Sequence, residues 1–396
     1  MWRARCPANG HAGFGRRSGE TRQPKRWQGA PGRPREGCGL AVQLVNSSQA
    51  KNLPGRPKTD KLDAMWLARL TEMGLLRASF VPPAPIRALR DYTRARTRLT
   101  QERTRCWQRL EKLLESALIK LSSVASKLTT LSAQDMVRAL IAGERDPQVL
   151  AALARGKMKA KHDDLVEALD GMFGDHHGEL AQLLLDQIAF LDSTIAELTA
   201  RIQEQAAAQP GAWGVNADGT TGPGAGTSPG DPVLPVVQRL AQVPGISEDL
   251  ARSIIAETGL DMSRFPDAAH LVSWAGLCPR AHQSGPRARN GKKGRGNGYL
   301  RGYLGQAAIG AAATATFLGE RYHRVARRRG KAKAQVAVAR SILVIIWHLL
   351  ASPDARFTDL GYGYYQARTD KDKKIKNHIR QIEALLGHPV TIAKAA

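Results

Sequence analysis

Ser284 stands in the middle of Ser273–Arg301 (SWAGLCPRAHQSGPRARNGKKGRGNGYLR), a segment that carries Arg280, Arg287, Arg289, Lys292, Lys293, Arg295 and Arg301 and no acid. A serine hydroxyl attacks a phosphodiester when cations stabilise the developing charge and a base removes its proton. The arginines and lysines meet the first requirement; no base is visible in the pattern. So basic and glycine-rich a loop does not fold on its own charge, but it moulds onto phosphates. The plain alternative is a solvated loop serine.

Three further patterns carry chemistry. Within Leu240–Leu260, the run AQVPGISEDLARSIIAETG places two short helices around Pro244, Gly245 and Ile246, with Ser247 set to cap the second. A glycine there lets backbone pass close to a ligand, and a helix N-terminus offers unpaired N–H groups to a phosphate. That is the logic of a helix-hairpin-helix; the alternative is an ordinary helical turn broken by Pro-Gly. Asp60 and Asp63 stand three apart at the start of a helix, and two carboxylates on one face can hold Mg²⁺ for phosphoryl transfer. The same acids in a first turn also cap it and suit its dipole. Arg321–Lys333 (RYHRVARRRGKAK) reads as a second phosphate-contacting strip or a solvated helix end. His162, His176 and His177 lack a second set of spaced ligands and read as surface residues.

These patterns sit in a chain of 396 residues with 59 Lys+Arg against 35 Asp+Glu, a formal charge of +24. An excess of that size repels itself unless a polyanion takes it up, and nucleic acid is the commonest one. The longest apolar run, Ser341–Ala351, is about half the roughly 20 residues a spanning helix needs, so no membrane span is expected. Cys6, Cys38, Cys106 and Cys278 lie far apart with no CxxC pair, which argues against a zinc site or disulfide framework. With no apolar secretory core at the N-terminus, a reducing cytoplasm is the expected location. Aromatic residues make up only 5% and no ribonucleoprotein-type aromatic pair occurs, so base stacking is not the expected mode.

The positioning elements follow in order. Residues 1–36 are basic, without apolar periodicity, and read as disordered. Residues 37–83 hold a buried-strand pattern at Leu40–Val45 and a helical one over Thr59–Leu70, with apolar spacing at Leu62, Met65, Trp66 and Leu70. Residues 84–206 form a helical arm. One seam runs Leu89, Tyr92, Leu99, Cys106, Leu110, Leu113, Ala117, and a second Leu184, Ile188, Leu191, Ile195, Leu198, Ile202. Such seams suit either an antiparallel pair within one chain or a coiled-coil dimerisation arm, with small helices around Asp135–Ala154 at the tip. Residues 207–232, rich in Gly, Pro and Ser, read as a flexible linker. Residues 233–365 read as a helical domain with one long basic loop, and 366–396 as a charged tail.

Taken together, LAVQLVN, KTDKLDAMWLARL, the helical arm, VPGISEDLARSIIAETG, SWAGLCP, QSG and GNGYLRGYL resemble, in this order, the DEDD transposases of the insertion-sequence one-ten family. The resemblance covers roughly residues 37–365. It implies a mostly α chain: the remnant of an α/β RuvC/RNase H-like domain, a long helical coiled-coil arm, and a C-terminal serine transposase domain with a helix-hairpin-helix. It further implies site-specific DNA recombination through a phosphoserine, with Ser284 as the nucleophile and Asp60 and Asp63 as the last two acids of a metal-binding tetrad. Ser273 is the weaker candidate, since it leads into an apolar turn. Mg²⁺, a structured guide RNA, DNA and further copies of the chain are the implied cofactor and partners.

One departure bears on activity. The family's first acid is an aspartate on an apolar strand, and no Asp precedes Asp60 here. Glu20 lies at a plausible distance for the second acid, but its neighbours do not read as a strand. A truncated or frameshifted N-terminus is therefore expected, which leaves two functional readings: a working recombinase, or a catalytically inactive relative that only binds DNA or RNA. A basic RNA- or ribosome-associated structural protein is a third, and the serine segment after a candidate helix-hairpin-helix argues against it.

Overall fold

The computed structural model describes residues 44, 45, 50, 59–76, 79–222, 225, 226, 228, 231, 233–278, 281–284, 287–290, 296–367 and 371–390. Residues 1–36 and most of Leu40–Val45 lie outside them. The chain divides into two units, Met1–Pro83 and Ala84–Ala396.

In the first unit, α1 (Asp60–Glu72) starts from Thr59 in extended conformation, with no side-chain capping bond. It ends where Gly74, at φ 66°, lets the Leu75 N–H reach back to the Leu70 carbonyl at 3.0 Å, the usual closure of a helix on a left-handed glycine. Asp63 and Leu70 are buried, with Trp66 and Leu67 half-buried between them. Of the expected apolar stripe only Trp66 and Leu70 are covered; Leu62 and Met65 are half exposed, at 50% and 51%. The packed face is the one that repeats through 63, 66, 67 and 70, and it runs through a carboxylate. In the same unit, the Ser79 N–H donates to the Leu44 carbonyl at 2.6 Å, and Val45 is buried.

The second unit is mostly helical. α2 (Ala84–Ser116) and α7 (Asp175–Ala207) are long helices that pack antiparallel. Arg96 Nε donates to Thr199 Oγ1 at 2.7 Å, Arg103 pairs with Asp192 at 2.5 Å, and buried Cys106 packs on Ile188 and Leu191. The two seams read from the sequence thus meet each other inside one chain. Four short helices close the tip: α3 (Leu121–Val124), α4 (Leu131–Ile141), α5 (Pro147–Ala152) and α6 (His162–Leu169). Their core gathers Leu110, Leu114, Met136, Leu140, Leu150 and Leu165.

Residues 207–232 differ from the flexible linker their composition suggested. Val215 and Val233 form a β-bridge, and buried Asp231 accepts from the Ala217 and Ser228 N–H groups at 3.0 and 2.8 Å. Gly214 and Gly226 are pressed together, each where a Cβ would meet the Val233 carbonyl oxygen at 2.2 and 2.0 Å. Glycine serves close packing here, not freedom.

The C-terminal domain comprises α8 (Val236–Ala241), α9 (Glu248–Thr258), α10 (Ala268–Trp274), a hairpin of β1 (Ala281–Ser284) and β2 (Arg287–Asn290), α11 (Gly298–Ala312), α12 (Phe317–Arg329) and α13 (Lys331–Ala351). Beyond it come α14 (Tyr364–Ala367) and α15 (Lys371–Leu386), so the charged tail is partly a helix. α13 is long and apolar enough to cross a membrane, a length the Ser341–Ala351 run alone did not suggest. It is the central helix of the domain, packed on α8, α10, α11 and α12 with Val338, Ile342, Leu343 and Ile346 wholly buried. Buried Arg239 satisfies its last carbonyls, donating to Leu349 O at 2.6 Å and Ser352 O at 2.8 Å.

Candidate nucleic-acid interface

The turn at Pro244–Gly245 is built as the sequence predicts in one respect and not in another. Ser247 caps α9, its hydroxyl oxygen accepting from the Leu250 N–H at 3.3 Å. Gly245, at φ 87°, packs against its own domain: a Cβ there would lie 2.1 Å from the Ala307 carbonyl oxygen and 2.6 Å from the Ala311 nitrogen, both on α11. The closeness that glycine permits is spent on a neighbouring helix. The first turn of α9 also carries Glu248 and Asp249, which Arg252 engages at 2.7 and 3.0 Å, while Arg96 reaches Asp249 at 3.3 Å. A phosphate approaching that helix end meets carboxylates as well as N–H groups.

The basic segment holds the β1–β2 hairpin where the sequence suggested only loop. Its antiparallel register puts Ser284 opposite Arg287 and His282 opposite Arg289. Just two residues, Gly285 and Pro286, separate Ser284 from Arg287, so the serine ends one strand as the arginine begins the next. Arg280, Lys292, Lys293 and Arg295 lie outside the described residues. Arg301, on α11, is half-buried, and Ser273, on α10, is exposed.

The base of this segment is closed. Gly296 lies where a Cβ would come 2.1 Å from the Ala275 carbonyl oxygen, so the chain re-enters the domain against the turn by which it left. Asn297 then caps α11, its Oδ1 accepting from the Tyr299 and Leu300 N–H groups at 3.1 and 3.2 Å. Its amide nitrogen donates to Glu257 Oε2 at 2.5 Å.

Glu257 is fully buried at the end of α9, and the helical arm reaches it. Arg94 on α2 binds its carboxylate with both Nε and Nη2, at 2.7 and 2.8 Å. Arg90 donates to the Ala256 and Glu257 carbonyl oxygens at 2.9 and 2.7 Å, satisfying groups the helix end would otherwise leave bare. Burial works to lower the Arg94 pKa, but the hydrogen bond and charge of Glu257 outweigh it and the group is raised. For Arg90 burial prevails over Glu257 and the pKa is lowered. Thr97 and Tyr303 share a hydrogen bond of 2.8 Å, and Arg94 lies over the Tyr299 ring at 4.7 Å. In the sequence these residues are marked only by a glutamate inside the apolar run SIIAETG and an asparagine opening the helix GYLRGYL.

A second cationic surface lies where α12 meets α13 across Gly330. Arg327, Arg328, Arg329, Lys331 and Lys333 are all exposed, and none pairs with a carboxylate among the described residues. α13 starts there without a side-chain cap or an acid in its first turn. Two lysines on the positive end of a helix dipole are unfavourable until an anion arrives.

Asp60 and Asp63 lie in the first unit and Ser284 in the second. Asp60 is exposed and Asp63 buried, and among the described residues no group of three His, Cys, Asp or Glu side chains is placed to hold a metal. Two carboxylates so placed are not by themselves a metal centre.

Comparison with known proteins bears on both units. The transposase family described as IS116/IS110/IS902 matches residues 237–324, and the DEDD transposase domain of the IS110 group matches residues 36–119. No curated protein matches the chain.

Proposed function

The chain belongs to the IS110 family of transposases, and on that premise we propose that it is a DNA recombinase using Ser284 as its nucleophile. The observation that carries the proposal is the pairing of Ser284 with Arg287 at the end of a two-stranded ribbon, in a segment holding seven cations and no acid. The serine hydroxyl attacks phosphorus as the bond from phosphorus to a deoxyribose oxygen breaks. Its proton goes to a base, and the departing sugar oxygen takes one up. The phosphoserine ester keeps the free energy of the diester, so a second sugar hydroxyl reverses the step and reseals the strand without an energy cofactor. Arg287, Arg289 and the neighbouring cations offset charge on the phosphoryl oxygens. The Arg327–Lys333 strip adds contacts to the phosphate backbone.

Asp60 and Asp63 are this chain's proposed contribution to a Mg²⁺ site; bound there, the ion would neutralise charge on the phosphate. A structured guide RNA and further copies of the chain belong to the same proposal, on family resemblance. A second reading, a relative that binds DNA or RNA without cutting it, is favoured by the acids that are described, since Asp63 is buried while Asp60 is exposed.

One experiment separates them. Full-length protein is incubated with DNA of its element and Mg²⁺, denatured, and examined for a covalent protein–DNA adduct. The recombinase reading expects an adduct that Ser284→Ala abolishes while DNA affinity stays. An adduct that survives the substitution overturns the nucleophile, and binding without adduct in the wild type favours the second reading.

A further inference from the structure

We propose that Glu257 is a positioning residue, tying the base of the helical arm to Asn297, the cap of α11, and thereby fixing the base of the segment that carries Ser284. The inference rests on the reading that this segment works on DNA, but its geometry does not.

Three parts of the chain meet at one buried carboxylate. Glu257 closes α9; Arg94 comes from α2, 163 residues earlier; Asn297 comes from the start of α11, 40 residues later. Each donor has a second attachment that passes the constraint on. Arg94 lies over the ring of Tyr299, the second residue of α11, and its neighbours Thr97 and Arg98 reach the hydroxyls of Tyr303 and Tyr299 at 2.8 and 3.2 Å. Asn297 spends its oxygen on capping α11 and its nitrogen on Glu257, so the helix start and the carboxylate cannot move apart singly. Directly before it, Gly296 is seated on the Ala275 carbonyl, leaving no slack between the tie and the segment's base.

The chemistry of the junction argues for placement over mere adhesion. Well-packed apolar residues hold helices together as well as a buried ion pair and often better, because burying two charges is costly. Hydrogen bonds of fixed direction add a single allowed geometry between the elements. The junction is polar where the arm meets the residues next to the serine segment, while the arm's own interior, at Cys106, Ile188 and Leu191, is apolar. An arm whose angle changes on binding a partner would therefore pull on the start of α11 through Glu257.

The test exchanges the two groups. Asn297→Asp keeps a cap for α11 but sets a carboxylate against Glu257. Glu257→Gln with Asn297→Asp restores a donor–acceptor pair and the single charge that Arg94 faces. In full-length protein, amide hydrogen exchange in the first turn of α11 should quicken on the order of tenfold in N297D, the worth of one charge-assisted hydrogen bond, and return in the double variant. Affinity for duplex DNA should fall severalfold in N297D with the salt slope unchanged, since no phosphate contact is removed, and recover in the double variant. A merely structural role would lower global stability in both variants and leave the affinity of folded protein unmoved; that result overturns the proposal. Unaltered exchange in N297D overturns it too. If the wild type shows no salt-dependent DNA binding, the recombinase reading fails, and the exchange measurements still decide the tie. Should N297D not fold, N297S takes its place, keeping the cap and dropping the amide donor.

Discussion

Replacing Glu257 by alanine should cost the C-terminal domain about 3 kcal/mol, and the figure follows from what the substitution strands. The carboxylate is fully buried and accepts two hydrogen bonds from Arg94 and one from Asn297, with Arg90 Nε a further 3.4 Å away. Removing one partner of a buried ion pair costs about 3–5 kcal/mol, because the other charge stays behind without its counter-charge. Arg94 keeps 24% of its side-chain surface and Arg90 14%, so neither side chain is fully desolvated and the cost falls at the lower end. Denaturant unfolding followed by tryptophan fluorescence reads it, since Trp274 and Trp347 both lie in this domain. Arg94→Met combined with Glu257→Leu should recover part of that loss, since the Arg94 charge and the cavity are both removed while Asn297 and Arg90 still lack their acceptor. A loss below about 1 kcal/mol in E257A would mean that the carboxylate is not desolvated as described. A double variant as weak as E257A would assign the loss to Asn297 and Arg90, left without their acceptor, and not to the charge of Arg94.

Other perturbations test other joints. Gly245→Ala forces a Cβ to 2.1 Å from a backbone oxygen at a left-handed φ, and should lower stability by about 3 kcal/mol in thermal unfolding; an unchanged melting temperature would refute the close packing on α11. Replacing Arg327, Arg328 and Arg329 together by alanine should make the slope of log affinity against log salt shallower by about 1 to 3 for duplex DNA, and an unchanged slope removes the strip from the interface. His177 accepts the Gly174 N–H at 3.1 Å through Nδ1, which only the neutral ring can do. Burial first, and the charge of His176 second, hold its pKa below the ordinary histidine value. Stability from the neutral ring is thus present above that ordinary value and lost as pH falls through the folded one. Protection of the amides in the first turn of α7, corrected for the intrinsic pH dependence of exchange, should fall as pH drops below the ordinary histidine value in the wild type, but not in H177A; the same loss of protection in H177A would sink the assignment.

What the sequence made legible was governed by periodicity and local chemistry. The alternating spacing of Leu184, Ile188, Leu191, Ile195, Leu198 and Ile202 announced a seam, of which Leu184 and Leu198 are half-buried and the rest buried, and Ser247 announced a cap, because both signals are local. The partner of the seam was not legible: a heptad pattern records what a face wants and not which chain supplies it. The glycines misled in a consistent way. Gly214, Gly226 and Gly245 read as freedom or as room for a ligand, yet each stands where another backbone approaches too closely for a Cβ, a contact made across distant residues. Asp63 was read as one of a pair, and the structure buries it while Asp60 stays exposed, because the packing face of α1 is chosen by its neighbours and not by the spacing of acids. Glu257 stayed hidden for the same reason, since its donors lie 163 residues before it and 40 after.

The arm carries a consequence for any assembly of copies. Its apolar seams are consumed within one chain, where Cys106 is wholly buried against Ile188 and Leu191. Those seam residues are therefore not free to pair with a second arm, whereas Leu180, Leu183 and Phe190 elsewhere on α7 stay exposed. What a rigid antiparallel hairpin of two 33-residue helices does offer is leverage. Each helix spans about 50 Å at 1.5 Å per residue, and the hairpin is joined to the domain by directional hydrogen bonds at its base. A small displacement at the tip then rotates the base, where Arg94 and Thr97 hold Glu257 and Tyr303. The stiffness of the arm and the polarity of its root are thus two halves of one arrangement: an apolar root would let the arm roll, and a flexible arm would leave Glu257 nothing to report.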